Sequence, residues 1–93
     1  MIQGWKTKAA KDVFEGRSPK GFPPGLLKAV RRRLAQLNAA RALEDLKAPP
    51  GNRLHLLTAD RKGQWSINVN DQFRICFVWT DNGPDAVEFV DYH

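Results

Sequence analysis

The amino-acid sequence predicts an α+β fold: two N-terminal helices packed on one face of a twisted antiparallel β-sheet meander of about four strands. Three features carry that expectation. Apolar residues recur at helical spacing in the first part of the chain and alternate singly in the second. The breaker run Pro49-Pro50-Gly51-Asn52 divides the two regimes. Short polar turns join the later apolar runs, so consecutive strands pair antiparallel and the helices collect on one face.

Lys8 to Glu15 reads as a short helix, with Ala9, Val13 and Phe14 sharing a side and Gly16 stopping it. Pro19, Gly21, Pro23 and Pro24 punctuate the next stretch. A longer helix starts near Pro23 or Pro24, where a missing N–H costs nothing in the first turn. Its apolar stripe is Leu27, Val30, Leu34 and Leu37. Ala40 to Leu46 is either a further turn or a continuation of that helix, and the breaker run then ends helical structure. Four strands follow. They are Arg53–Thr58, Gln64–Asn70, Phe73–Thr80 and Ala86–Tyr92, separated by turns at Asp60-Arg61-Lys62-Gly63, Asn70-Asp71-Gln72 and Asp81-Asn82-Gly83-Pro84.

Ninety-three residues supply one core; a chain of this length buries roughly 60–70% of its unfolded surface. A single domain over residues 1–93 is expected. Hydrophobic residues at 42% and charged residues at 27% match a globular composition, which sets disorder aside. The longest apolar run is Ile75-Cys76-Phe77-Val78-Trp79, far short of the ~20 residues of a membrane span. The first residues lack the apolar stretch of about 7–15 residues found in a secretion signal. One cysteine closes no internal disulfide and, with two histidines, makes a poor zinc set. The expectation is a cytoplasmic domain with no metal, no cofactor and no membrane association.

Charge is unevenly distributed. Residues 1–47 hold eleven Lys/Arg and four Asp/Glu, a net of +7; residues 48–93 hold four and six, a net of −2. A basic half attracts a polyanion or an acidic protein, and it is also what a solvated helix surface looks like. Lys28, Arg31 and Arg32 lie off the leucine stripe and Arg33 flanks it.

Strand alternation sorts the second half into two faces. Trp65, Ile67 and Val69 share a face with Phe73, Ile75, Phe77 and Trp79, which face the helices. Arg74 and Asn68 then stand on the sheet's open face, and His55, out of phase with Leu54 and Leu56, can join them. An arginine inside an apolar strand wants an anion: either a ligand or a cross-strand carboxylate such as Glu88 or Asp91. Trp5, Trp65 and Trp79 read as core, and Cys76 as a small buried hydrophobe.

The segments Gly51-Asn52-Arg53-Leu54, Gly63-Gln64-Trp65-Ser66-Ile67-Asn68-Val69-Asn70-Asp71-Gln72-Phe73-Arg74-Ile75-Cys76-Phe77 and Val90-Asp91-Tyr92-His93 resemble, in that order, the HigB branch of the RelE/ParE toxin superfamily. The resemblance covers nearly the whole chain and is strongest from residue 51 onward. It implies a RelE-like fold and the toxin half of a type II toxin–antitoxin module. It further implies an endoribonuclease that cuts mRNA on the translating 70S ribosome and is neutralised by a helix-turn-helix, HigA-like antitoxin. Operator DNA would be bound only through the toxin–antitoxin complex. The family's catalytic arginine falls on Arg74, and its C-terminal acidic, aromatic and histidine positions fall on Asp91, Tyr92 and His93. Its first-strand histidine falls on His55. Two positions that are basic in some members are not basic here: the stretch after the first strand reads Leu57-Thr58-Ala59-Asp60, and Asn70 ends the second. Arg61 and Lys62, or Arg53, are placed to compensate.

RNA cleavage without a metal needs a base for the 2′-hydroxyl proton, a cation for the phosphorane and an acid for the leaving 5′-oxygen. His93 suits either proton role, with Asp91 second, while Arg74 offers phosphate a planar fork. Tyr92 stacks on a base or donates a hydrogen bond. His55, Arg61, Lys62, Asn68, Lys28, Arg31 and Arg32 are the expected contacts to mRNA and ribosome. Two other readings remain: a non-catalytic toxin that binds a protein such as DNA gyrase, as ParE relatives do, or a module that only binds its antitoxin.

Overall fold

The computed structural model describes residues 1–91. Extended backbone leads into α1 (Lys8–Phe14), which buries Ala10 and Val13. Gly16, at φ +93°, lets the chain leave α1 in a conformation that favours glycine. A 3₁₀ turn over Pro24–Leu26 opens α2 (Leu27–Ala39). Val30, Leu34 and Leu37 are fully buried, so the stripe reads correctly, while Leu27 in the first turn is only half-buried. Ala40 swings to ψ 131° and ends α2. The residues beyond it form a separate 3₁₀ turn, Leu43–Lys47, held by the Asp45 carboxylate accepting the Arg41 and Ala42 N–H groups. The breaker run itself contains a 3₁₀ turn, Pro50–Asn52.

The sheet is the expected meander: β1 (His55–Leu56), β2 (Trp65–Asn68), β3 (Phe73–Thr80) and β4 (Gly83–Asp91) pair antiparallel in sequence order. β2 is shorter at both ends than the expected Gln64–Asn70, and β1 and β4 differ as well. β1 is two residues long rather than six, because Arg53 at φ +45° and Ala59 at φ +56° turn the chain away on either side. β4 starts at Gly83 rather than Ala86, because Asp81 and Asn82 alone make the turn and Thr80 pairs directly with Gly83. The Thr80 hydroxyl donates to the Gly83 carbonyl at 2.7 Å. Further along, the register steps from Val78↔Asp85 to Cys76↔Glu88, a β-bulge with Ala86 at φ +50°.

The N-terminal segment joins the sheet, which alternation did not predict. Trp5 lies parallel to Val87. Gln3 N–H donates to Pro84 O at 2.7 Å, Val87 N–H to Gly4 O at 3.2 Å, and Lys6 N–H to Val87 O at 2.9 Å. The outer edge of β4 is thereby covered.

Between helices and sheet, Val13, the α2 stripe and Leu46 pack on Ile67, Ile75, Phe77 and Val87. A fully buried side chain of this kind contributes roughly 1.5–3 kcal/mol. Trp5, Trp65 and Trp79 pack at the rim of this core, as read from the sequence. No helix among the described residues is long and apolar enough to cross a membrane.

The opposite face of the sheet is not open along its length. Ser66, Cys76 and Glu88, directly cross-strand of one another, are all buried. Arg61 reaches over them from the β1–β2 connection, its Nη1 donating to Glu88 Oε2 at 3.2 Å and its Nη2 to Oε1 at 3.3 Å. Lys6 Nζ meets the same carboxylate at 3.3 Å. Burial pushes the Glu88 pKa up, but hydrogen bonds from Arg61 and Lys6 outweigh it and hold the group below its ordinary value. Cys76, buried beneath, has its thiol pKa raised by that burial.

Candidate functional site

Beyond this ion-paired roof, the same face ends in a small cluster of charge. Arg74 sits opposite Asn68 on β2 and Val90 on β4; His55 sits opposite Ser66. Alternation therefore sends His55, Asn68 and Arg74 to one side, as the sequence predicted. Arg53 arrives there through a separate device. Asn52 is fully buried, and its amide Nδ2 donates to Leu46 O at 3.2 Å and Ala48 O at 3.3 Å. That anchor fixes the 3₁₀ turn, and the left-handed Arg53 that follows it turns toward β3. Arg53, Leu54, His55 and Arg74 line one shallow cavity of about 280 Å³. Two guanidinium groups and an imidazole in one concavity can hold a phosphate and move a proton beside it.

Asn68 borders the cluster with its side chain nine-tenths buried and its Oδ1 without a hydrogen-bond partner among the described residues. Its backbone carbonyl, on the side that short β1 leaves uncovered, accepts Arg33 Nε at 2.9 Å. Burial, and secondarily the nearby Arg32 charge, lower the Arg33 pKa. Sequence reasoning grouped Arg33 with Lys28, Arg31 and Arg32 as a solvated helix face or a grip on ribosomal RNA, and did not turn it toward the sheet. The signal was available in its place at the flank of the leucine stripe, which turns it toward the sheet.

The remaining expected site residues divide. Arg61 is engaged with Glu88 and Gln64, so its side chain builds the roof over the sheet, whereas Lys62 is exposed. Glu88, weighed as a cross-strand partner for Arg74, is the carboxylate of Arg61 and Lys6 instead. Lys28 and Arg32 are exposed on α2, but Arg31 ties α2 to α1, donating to Val13 O at 3.2 Å and Arg17 O at 3.1 Å. Asp91 pairs with Phe73, not with Arg74, so it leaves the sheet on the helix side. There it accepts Gln72 Nε2 at 3.2 Å. Tyr92 and His93 lie outside the described residues. No group of three or more His, Cys, Asp or Glu among the described residues is arranged to hold a metal ion.

Comparison with known proteins identifies the family. Residues 3–93 match the family model described as the RelE-like toxin of type II toxin–antitoxin system HigB. The chain is 46% identical to Toxin HigB-1 of Vibrio cholerae, covering 100% of this chain and 98% of that protein. It is 31% identical to Endoribonuclease HigB of Proteus vulgaris, covering 100% of both. The match runs through the cationic end of the sheet as well as the core, and the chain belongs to the HigB family of RelE-like toxins of type II toxin–antitoxin systems.

Proposed function

We propose that this toxin is a ribosome-dependent mRNA endoribonuclease that cleaves by general acid–base chemistry at a 2′-hydroxyl. The observation that carries the reading is the cavity in which Arg74, Arg53 and His55 meet. The arginines hold the scissile phosphate and stabilise the phosphorane, a task for which fixed cations beat mobile water. His55 is the described group able to carry a proton, and His93 is its counterpart for the second transfer. Tyr92 contacts a base, and Asp91, on the other face, holds substrate rather than moving its protons. Arg53 supplies charge where some relatives carry a lysine after the first strand. The reading assigns no step to a metal or cofactor.

Membership of a type II family gives the toxin an antitoxin partner. The partner we propose is a helix-turn-helix, HigA-like protein, with operator DNA engaged only through the complex. Lys28 and Arg32, with the exposed Lys62, grip ribosomal RNA or mRNA, and Asn68 lies close to the message. Residues 1–93 act as one toxin domain in the cytoplasm. The name of the Proteus relative, an endoribonuclease, supports cleavage over gyrase binding. Expression in translating cells, with mapping of mRNA 5′ ends and a parallel supercoiling assay, tests this. New in-frame 5′ ends with unaltered supercoiling are expected; altered supercoiling with intact messages would overturn it.

A further inference from the structure

Phe73 and Arg74 are consecutive, so they leave opposite faces of β3. On the Phe73 side, three phenylalanines form a row. Phe73 and Phe89 stack with ring centroids 4.9 Å apart, and Phe22 leans on Phe89 at 4.6 Å. All three are only half-buried, and they line an open cavity of about 440 Å³ together with Pro19, Lys20 and Asp91. The Phe22 wall is preset by Pro19, Pro23 and a left-handed Gly21 at φ +81°.

From this we infer that the Phe22–Phe89–Phe73 cavity binds a nucleobase of the single-stranded RNA whose phosphate lies at Arg74. The inference rests on the endoribonuclease reading and names how that site holds its substrate. Three considerations select a base. Partly exposed aromatic rings lining an open cavity offer a base a π surface irrespective of sequence. The Asp91 carboxylate, which already accepts Gln72 Nε2, is the kind of acceptor that takes an amino or imino N–H from a base edge, as acidic side chains do toward cytosine N4. Lys20, which also lines the cavity, complements the backbone that carries the base. Position agrees: the β2–β3 turn, with Gln72 donating to Asp91, forms the end of the sheet, and a strand bent over that end reaches Arg74 on one side and Phe73 on the other.

The test is cleavage on programmed 70S ribosomes, using messages with a single abasic nucleotide at each position flanking the cut. Wild-type protein is expected to lose roughly 5–150-fold in rate at one position, the range for loss of one base–aromatic stack. Phe22→Ala should lose a comparable factor on the intact message and be indifferent to the abasic nucleotide at that position; Phe22→Trp should restore both. Phe22→Leu keeps apolar volume without a π face and gives the same comparison if the alanine variant melts. Losses that multiply at every position would overturn the inference, as would cleavage of the intact message by Phe22→Ala at the wild-type rate. Loss of antitoxin co-purification with cleavage unimpaired would also overturn it and assign the cavity to the antitoxin. A wild-type protein that cuts no message fails at the endoribonuclease reading itself, and the inference falls with it.

Discussion

Replacing Glu88 by glutamine removes one charge and leaves the shape of the side chain. In the folded protein that charge receives two hydrogen bonds from Arg61 and one contact from Lys6, and the carboxylate side chain is only 11% exposed. A charge-assisted hydrogen bond contributes roughly 1.5–3 kcal/mol when secluded. The partners are less secluded, Arg61 at 30% and Lys6 at 54% side-chain exposure, so solvent screening discounts the sum. Glutamine also keeps one acceptor for Arg61. A net loss of about 1.5 kcal/mol is expected, which lowers the melting temperature of a domain this size by roughly 6–12 °C. The pH dependence carries the sharper test. The Glu88 pKa is lower folded than unfolded, so its contribution is complete above the unfolded value, near pH 4.5, and fades as pH falls through the folded one. The difference in melting temperature between wild type and Glu88→Gln should therefore be constant from pH 7 to about 5.5 and shrink below about 4.5. Asp12 and Asp45, also depressed, are present in both proteins and cancel. Thermal melts from pH 7 to about 3.5 decide the matter. A gap that persists undiminished at the acid end, or no gap at neutral pH, would refute the electrostatic account of the roof.

Arg74→Ala should reduce ribosome-dependent cleavage by on the order of 10²–10³ with the melting temperature preserved, since it removes a charge from the cavity and nothing from the core; a folded variant of wild-type toxicity removes Arg74 from the mechanism. Deleting Tyr92 and His93 should eliminate cleavage while antitoxin co-purification persists, because β4 remains paired through Phe89 and Val90; full-rate cleavage by the truncated chain would exclude His93. Lys28→Ala with Arg32→Ala should weaken ribosome co-sedimentation and flatten its salt dependence by a slope of about 1 for each phosphate no longer engaged, without altering stability; an unchanged salt series would assign this face to solvent. Arg33→Ala leaves the Asn68 carbonyl without its donor and should cost about 1–2 kcal/mol in urea melts, whereas a neutral result would show that water replaces the guanidinium.

How far the sequence reveals this molecule depends on whether local pattern or distant partner decides each element. β3 is read to the residue, because Phe73–Thr80 alternates without interruption and both faces are packed. The leucine stripe of α2 is legible for the same reason. β1 is overread because its apolar alternation is real but two left-handed residues cut the pairing short, and positive φ at arginine or alanine leaves no compositional mark. The roof is not legible at all: Arg61 sits in what reads as a solvent-facing turn, and only the three-dimensional approach of Glu88 turns it inward. In the site, the common face of His55, Asn68 and Arg74 follows from alternation. The placement of Asp91 follows from the same rule, one residue out of phase with Val90, and the family pattern obscured it by grouping acidic, aromatic and histidine positions as one unit. Arg53 enters the cavity because buried Asn52 anchors the turn before it, a tertiary contact that spacing does not encode.

The pairing of Trp5 with Val87 has a bearing on how the toxin is made. It joins the first residues to the fourth strand, so the sheet cannot acquire its outermost pairing until β4 has been synthesised. Contacts of such long sequence separation form late, after the entropy of closing the intervening loop has been met. The helices and the β2–β3 hairpin are local and can organise on the emerging chain, but β4, which carries Val90 beside Arg74 and Asp91 beside Phe73, is the last of the four strands to arrive. An emerging chain therefore holds an incomplete sheet until that strand has left the exit tunnel. On the endoribonuclease reading proposed above, Arg74 in the cavity gains its fourth-strand neighbour, Val90, only after β4 has emerged.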